Sequence, residues 1–548
     1  MIFFLGTPGK VLASTDSING EIPNSQKSYV AAQNGNDVTL TIDVNIQSIA
    51  EKYLSQAVVD NYADGGNVII MNPQNGDVLA MATYPNYNLN QPYTISSPKL
   101  QETWDQLSSE EKSNELFKMW NNTAVQSTYE PGSTFKIITA AAGLEEGIVK
   151  PDTPGDFYCS GSENISGIEM RCWKYYDPHG SESLRQALMN SCNPAFMQLG
   201  RRIGAHTLYK YYRGFGFFNT TNPYFYGEQN SVFFNENNIN EFNVATMSFG
   251  QRFTITPIQL ITALSAVSNE GVLMQPRIVK EIKNTDTGST ITIEPKNIRQ
   301  VISKETADSL MDMLESVVTD GTGKYARVSG YSVAGKTGTS EPLSGNESEG
   351  YVASFAAMSP SVNTQVVILV TIYDPKGASH QGSQVAGPVV KQILSEVLPY
   401  LGVVSENTSK STSSNTYVTN TIPDIRNKSI YDAKTILLNS GFKVKIAGEE
   451  DENTILVIDQ VPKPGVRLIK NSTIYLYTTN NNTRGVTHVP NFKGMSSAQV
   501  VNSAEAANIN IVLDGAGTVV SQDIAAGTEV EVGSIITVTL QTETVTGY

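Results

Sequence analysis

The chain has 548 residues and a formal net charge of −15. At roughly 150 residues per domain that length predicts three or four units, and 40% hydrophobic with 17% charged residues excludes a wholly disordered chain. The acidic balance argues against a nucleic-acid partner, which needs clustered Lys and Arg, and no run of 18 apolar residues is present to span a membrane.

Residues 1–36 read as irregular, rich in Gly, Pro, Ser and Asn. Met1 to Leu5 lacks the basic flank, the length and the cleavage site of a signal peptide. Ile46, Ile49, Ala50, Tyr53, Leu54 and Ala57 then recur at spacings of three and four, which predicts a helix. Val68–Met71 and Val78–Ala82 predict a hairpin turned at Asn75-Gly76. A largely helical stretch follows from about Leu100 to Val267, clearest at Ile137–Leu144 and Leu184–Leu199. Ser303 caps a predicted helix through Val318. Three strands are expected at Tyr331–Thr337, Val352–Met358 and Gln365–Tyr373, and a last helix at Val389–Leu398. Strands at both ends of a helical middle describe an α/β (α+β) layered domain, its sheet completed by the N-terminal hairpin.

Ser405 to Asn420 is nearly all Ser, Thr, Asn and Lys and reads as a flexible linker. Beyond it the chain repeats itself. Ile422-Pro423 matches Val489-Pro490, Ser429–Leu438 matches Ser496–Glu505, Gln460–Gly465 matches Gln522–Gly527, and Asn471–Leu476 matches Gly533–Val538. The offset falls from 67 to 62 in mid-repeat. Each copy predicts a small α+β module of about 60 residues, near the lower limit for independent stability.

The three cysteines are Cys159, Cys172 and Cys192. Without a C-x-x-C pair, and with the histidines His179, His206, His380 and His488 scattered, no metal site is expected. Cys159 and Cys172 flank a Gly/Ser/Asn-rich stretch and either bridge, which would contribute ~3 kcal/mol, or remain free thiols.

Three short motifs carry the chemistry. S-x-x-K occurs four times, at Ser96, Ser109, Ser133 and Ser440, and only Ser133 follows Glu-Pro-Gly and opens an apolar helix. That placement puts Ser133 at a helix N-terminus, where free N–H groups stabilise negative charge. Lys136 lies nearly one turn on, and burial lowers a lysine pKa enough to make it a base. Among several S-x-N triplets, Ser191-Cys-Asn193 alone follows an apolar helical run and precedes Pro194. Its hydroxyl can shuttle a proton to a leaving amine, and Asn193 can hold Lys136 and the substrate backbone. Lys336-Thr-Gly-Thr339 is the one K-T-G, at the end of a predicted strand. There Gly338 is expected to admit a substrate backbone along the edge, and Lys336, Thr337 and Thr339 to bind a terminal carboxylate. The N–H groups of Ser133 and Thr339 are candidates for an oxyanion hole, worth ~3 kcal/mol per donor. Singly, each motif is weak. Together and in this order they are the set of penicillin-reactive serine enzymes, with Cys192 where the usual triplet has Asp.

At this point the chain resembles the class B penicillin-binding proteins, the monofunctional peptidoglycan D,D-transpeptidases. The likeness covers residues 37–402. It rests on Tyr129–Lys136 (YEPGSTFK), Asn190–Phe196 (NSCNPAF), Phe249-Gly-Gln251 with Thr256-Pro-Ile-Gln-Leu260, and Ala334–Thr339 (AGKTGT). The repeats at 421–480 and 485–542 resemble PASTA modules, joined by the linker 403–420. This combination is similar to division- or sporulation-specific enzymes of Gram-positive bacteria. The resemblance implies a penicilloyl-serine transferase fold: an antiparallel sheet with helices on both faces and an all-helical subdomain. It implies Ser133, Lys136, Ser191, Asn193 and Lys336 as catalytic and Thr337, Gly338 and Thr339 as substrate-binding. The implied substrates are peptidoglycan stem peptides, a D-Ala-D-Ala donor and an amine acceptor. The implied ligands are β-lactams, with divisome or sporulation proteins as partners, no metal or organic cofactor, and an extracytoplasmic, membrane-associated location. Family members carry a cytoplasmic tail, a membrane anchor and a pedestal domain. The sequence as given shows none, so a truncated chain is expected, with 1–36 as a pedestal remnant. A D,D-carboxypeptidase, a β-lactamase-like hydrolase with Glu228 or Glu241 as deacylating base, and a β-lactam or cell-wall sensor share the motifs and are the alternatives.

Overall fold

The structure is a computed structural model, and it describes residues 6–12, 27–340, 350–403, 405, 419–447, 455–470, 472–478, 484–495, 497–515 and 517–541. It divides into two compact units, residues 1–401 and 402–548.

The first unit is built on a five-stranded sheet. Its strand order is Ala334–Ser340, Val352–Ser359, Val366–Tyr373, Gly65–Met71, Val78–Tyr84, and every pairing is antiparallel. The hairpin turns at Gly76, whose φ is +79°. The strand that carries Lys336-Thr-Gly-Thr339 lies on the sheet's edge. It begins and ends three residues later than the expected Tyr331–Thr337, because Gly338, Thr339 and Ser340 stay in register with Ser354, Ala353 and Val352.

Strand side chains alternate between faces. Ile69, Met71, Ala356, Met358, Val367 and Leu369 join a large apolar core with the helices. The alternate residues Val68, Ile70, Phe355, Ile368 and Val370 are equally buried, so the sheet is covered on both sides. On that second face lie the helices Val44–Asp60 and Gly387–Tyr400, which pack on each other and on the sheet. Asp43 caps the first of them through the N–H groups of Asn45 and Ile46. In the first core sits Pro257–Ser268, a helix with Pro257 to Val267 buried on every side, the signature of an element surrounded by protein. Thr256 and Gln259 close its N-terminus with reciprocal side-chain bonds. Lys304–Thr319, capped by Ser303 as expected, packs against it and against the Lys336 strand.

Two expectations change here. Residues 1–36 are not wholly irregular, since Lys10–Leu12 pairs with Ser28–Val30. The stretch from Leu100 to Val267 is interrupted by four short strands. Phe157–Cys159 pairs with Gly180–Glu182, and Ser162–Ile165 with Ile168–Arg171. Strands of three or four polar-rich residues offer no period to detect.

The second unit holds the repeats, and each copy has the same topology. A helix, Ile430–Asn439 or Ser497–Ala506, precedes a three-stranded sheet. Its central strand, Thr473–Thr478 or Ile535–Gln541, is parallel to one neighbour and antiparallel to the other. Gln460 accepts the N–H of Ile425 and donates to Pro423, while Gln522 accepts from Phe492 and donates to Pro490. The repeated Gln therefore has a repeated task. Most of the predicted linker lies outside the described residues.

Candidate active site

Ser133 sits in a 3-10 turn, Gly132–Phe135, that runs directly into the helix Lys136–Glu145. Phe135 anchors the turn. Its ring is fully buried and meets Tyr212, Phe217 and Phe253 with centroids 5.1, 5.2 and 4.6 Å away, contacts of the edge or tilted type that aromatic rings favour. Thr134 donates to the Pro131 carbonyl at 2.6 Å. With its two neighbours tied down, Ser133 alone is partly exposed.

Lys136 is fully buried. Its Nζ donates to Asn193 Oδ1 at 2.7 Å, to the Ser191 carbonyl at 2.8 Å and to Ser191 Oγ at 3.3 Å. Lys336, equally buried, reaches the same hydroxyl from the sheet edge, with Nζ 2.8 Å from Ser191 Oγ. The structure therefore brings all three motifs together, with one serine hydroxyl between two lysines from distant parts of the chain. Ser191 takes φ +52° to present it. The predicted helix Leu184–Leu199 is broken at this point into Leu184–Met189 and Asn193–Ile203, which frees Ser191 and Cys192 from helical geometry.

Burial governs the electrostatics. It lowers Lys136 to about 8, against an opposing pull from Cys192, Cys172 and Glu182. Lys336 is pushed well below the ordinary lysine range, first by burial and then by the charge of Lys136. Two ammonium groups around one hydroxyl in a dry site disfavour double protonation, so the site supplies a neutral amine near physiological pH.

The pieces are clamped backbone to backbone. The Gly132 N–H donates to the Gly250 carbonyl at 2.9 Å. A side chain on Gly250, where φ is +91°, would overlap the Gly132 carbonyl, and one on Gly132 would meet the Thr339 carbonyl at 2.9 Å. Gly338 differs from expectation. The space of its missing side chain is taken by Ser354 Oγ and the Pro131 carbonyl, so it admits the Ser133 turn. Thr339 Oγ1 accepts the Gly382 N–H at 3.0 Å, leaving its own O–H to donate. Thr337 Oγ1 is 3.4 Å from Lys336 Nζ.

Residues 66–395 match the penicillin binding protein transpeptidase domain, and residues 420–480 and 487–542 match the PASTA domain. The chain belongs to the penicillin-binding protein transpeptidase family. It is similar to Stage V sporulation protein D of Bacillus subtilis (strain 168), 34% identical over 479 residues, covering 86% of this chain and 70% of the relative. It also resembles Peptidoglycan D,D-transpeptidase FtsI of Buchnera aphidicola, 27% identical and covering 74% of this chain and 65% of the relative. Among solved structures, the transpeptidase domain of penicillin-binding protein 3 from Burkholderia pseudomallei superposes with a TM-score of 0.55 at 27% identity, covering 67% of this chain and 98% of that one. Penicillin Binding Protein 2X from Streptococcus thermophilus, at 21% identity and TM-score 0.60, shares the fold over 98% of this chain and 76% of its own.

Several supports in this penicillin-binding chain carried no legible role in the sequence. Gly250 is one, although the string around it was visible. Glu130 is another, buried and accepting the Arg252 N–H at 2.6 Å. The proposed deacylating bases are committed elsewhere. Glu228 accepts from the Thr221 N–H and hydroxyl, and Glu241 pairs with Arg201 and Ser166. Cys159, Cys172 and Cys192 are all free thiols, so the bridge between Cys159 and Cys172 is not formed.

Proposed function

We propose that this chain is a serine-type peptidoglycan D,D-transpeptidase that works outside the cytoplasm, with Ser133 as the nucleophile. The single observation that carries the reading is the Ser191 hydroxyl held between two buried lysines beside the partly exposed Ser133 turn. Ser133 Oγ attacks the penultimate D-Ala carbonyl of a stem peptide while neutral Lys136 takes its proton. The N–H groups of Ser133 and Thr339 receive the developing oxyanion. Ser191, held by both lysines, passes a proton to the amine of the departing D-Ala. Asn193 fixes Lys136 and the donor backbone. Lys336, Thr337 and Thr339 bind the terminal carboxylate at the sheet edge. An amine on a second stem then takes the acyl group and restores the serine. A β-lactam follows the first half of this path, and its opened ring stays on Ser133.

Transpeptidation is favoured over hydrolysis because Glu228 and Glu241 are both occupied in structural bonds. The match to a sporulation protein over 86% of this chain favours sporulation over division as the setting. The test is intact-mass spectrometry after exposure to a labelled penicillin, with peptide mapping. One adduct on Ser133, absent in Ser133→Ala and decaying slowly, is expected. Label on another residue would overturn the assignment of the nucleophile, and rapid release of penicilloate would favour a hydrolase.

A further inference from the structure

The three free cysteines do not lie apart. Cys159, Cys172 and Cys192 converge with His179 so that one ligand atom from each falls within 4.8 Å of every other. Their positions, separated by 13, 7 and 13 residues, hide the cluster from any local spacing rule. Cys159 ends one short strand, Cys172 follows another, His179 precedes the strand Gly180–Glu182, and Cys192 is the middle residue of the Ser191-Cys-Asn193 turn.

We propose that Cys159, Cys172, His179 and Cys192 form a structural zinc site that holds the Ser191-Cys192-Asn193 turn in place. Tetrahedral zinc with Zn–S of about 2.3 Å and Zn–N of about 2.0–2.1 Å sets its ligand atoms roughly 3.5–3.8 Å apart. The Cys172 Sγ to His179 Nδ1 distance is already 3.7 Å, and the widest separation in the cluster needs to close by about an ångström. Three thiolates with one imidazole suit zinc, and a site with four protein ligands leaves no open position, the mark of a structural rather than a catalytic metal.

The surroundings fit a buried ion. The cysteines are 0–3% exposed and the His179 side chain 4%. His179 Nε2 and Glu182 Oε2 are buried and have no hydrogen-bond partner among the described residues. An imidazole gives one nitrogen to a metal and must place an N–H from the other. With Nδ1 at ligand distance from Cys172, Nε2 is the nitrogen left to carry the N–H, and Glu182, whose Oε2 lies 4.0 Å from Nδ1, is a buried carboxylate beside the metal-facing nitrogen. Its other oxygen accepts from Asn190 at 2.8 Å, so the carboxylate is itself oriented. Binding converts three thiols to thiolates and releases three protons for one dication, leaving a net charge of −1 on the site.

The consequence for the active site follows from Cys192. Its neighbours Ser191 and Asn193 are the residues that receive Lys136. A metal bond to Cys192 pins the turn in which Ser191 adopts its positive φ. The effect on acylation rests on the proposed transpeptidase chemistry, whereas the metal site does not.

The test uses the full chain purified under reducing conditions with zinc supplied. Elemental analysis should find about one zinc per chain, falling at least about tenfold in the double variant Cys159→Ser, Cys172→Ser. Because that variant can fail to fold, cobalt is loaded into chelator-stripped wild type. Tetrahedral d–d bands with a thiolate-to-cobalt charge-transfer band are expected. Stripping should lower the melting midpoint by at least about 5 °C and slow penicillin labelling of Ser133 at least fivefold, both restored by zinc. Reduced wild type holding under about a tenth of an equivalent of zinc would overturn the site. So would iron in its place, full zinc in the double variant, or a native mass two hydrogens lighter, which would make the cluster a disulfide. Zinc present with labelling unchanged on stripping would overturn the link to the turn alone. Zinc present with no label on Ser133 would overturn the transpeptidase reading and leave the metal standing.

Discussion

Ser191 is the residue on which the two lysines meet, so the chemistry turns on protons held there. For Lys136 to accept the Ser133 proton it must be neutral, and its pKa of about 8 sets the window. Acylation by a neutral β-lactam ester should therefore rise about tenfold per pH unit below that point and flatten above it, as stopped-flow measurement across the range would show. A profile flat from acid to alkaline pH would exclude Lys136 as the base. Lys336→Ala leaves the Ser191 hydroxyl with one partner and removes the proposed carboxylate anchor. It should cut acylation by roughly 10²–10³, with the loss seen in labelling rate while the protein still folds. The two repeats exchange Asn and Gly at matching positions. Asn427 aligns with Gly494, and Gly441 with Asn508. All four have left-handed backbones, with φ of 62°, 81°, 80° and 55°. Asn and Gly are the residues that accept that geometry, so Asn427→Gly should change stability by less than about 0.5 kcal/mol, while Asn427→Val should cost about 1–2 kcal/mol, both measured by chemical denaturation.

At the scale of elements, the active site is a junction of a turn, a broken helix and a sheet edge, each held by contacts too close for side chains. Gly250→Ala places a methyl group on the Gly132 carbonyl at a position that also needs positive φ. It should cost about 1–3 kcal/mol in strain and slow acylation, since the Ser133 turn must shift to make room. A variant with an unchanged melting midpoint and labelling rate would refute the clamp. What the sequence disclosed at this level followed the strength of its periodicity. The helix at 44–60, the hairpin at Asn75-Gly76 and the helix at 387–400 were legible because apolar spacing and turn chemistry agree there. The edge strand was placed three residues too early because Gly338, Thr339 and Ser340 look like loop and are extended only by their partner strand. The four short strands near the cysteines were invisible for want of length. So was their convergence, since proximity of Cys159, His179 and Cys192 is a property of tertiary structure. The motifs Ser133–Lys136, Ser191–Asn193 and Lys336–Thr339 could be read because they are compact in sequence; the Gly132–Gly250 contact and the Phe135 cage could not, being assembled from distant segments.

At the scale of the whole molecule, catalysis and repeats occupy separate compact units. The catalytic geometry is assembled wholly within residues 129–382. Removing residues 403–548 should therefore leave penicillin labelling within about a factor of two, as expected of independent regions. A larger loss would mean that the repeats support the catalytic unit directly. Antibiotic pressure on that unit would meet a fixed point in its backbone. Where Gly132, Gly250 and Thr339 touch, main chain rests on main chain, and at the two glycines no smaller residue exists to relieve a tight fit while any larger one displaces the turn that carries Ser133. Selection has no useful move at that spot. Escape from a drug must be sought among the surrounding side chains, and inhibitors that lean on the immovable backbone would be the hardest to evade.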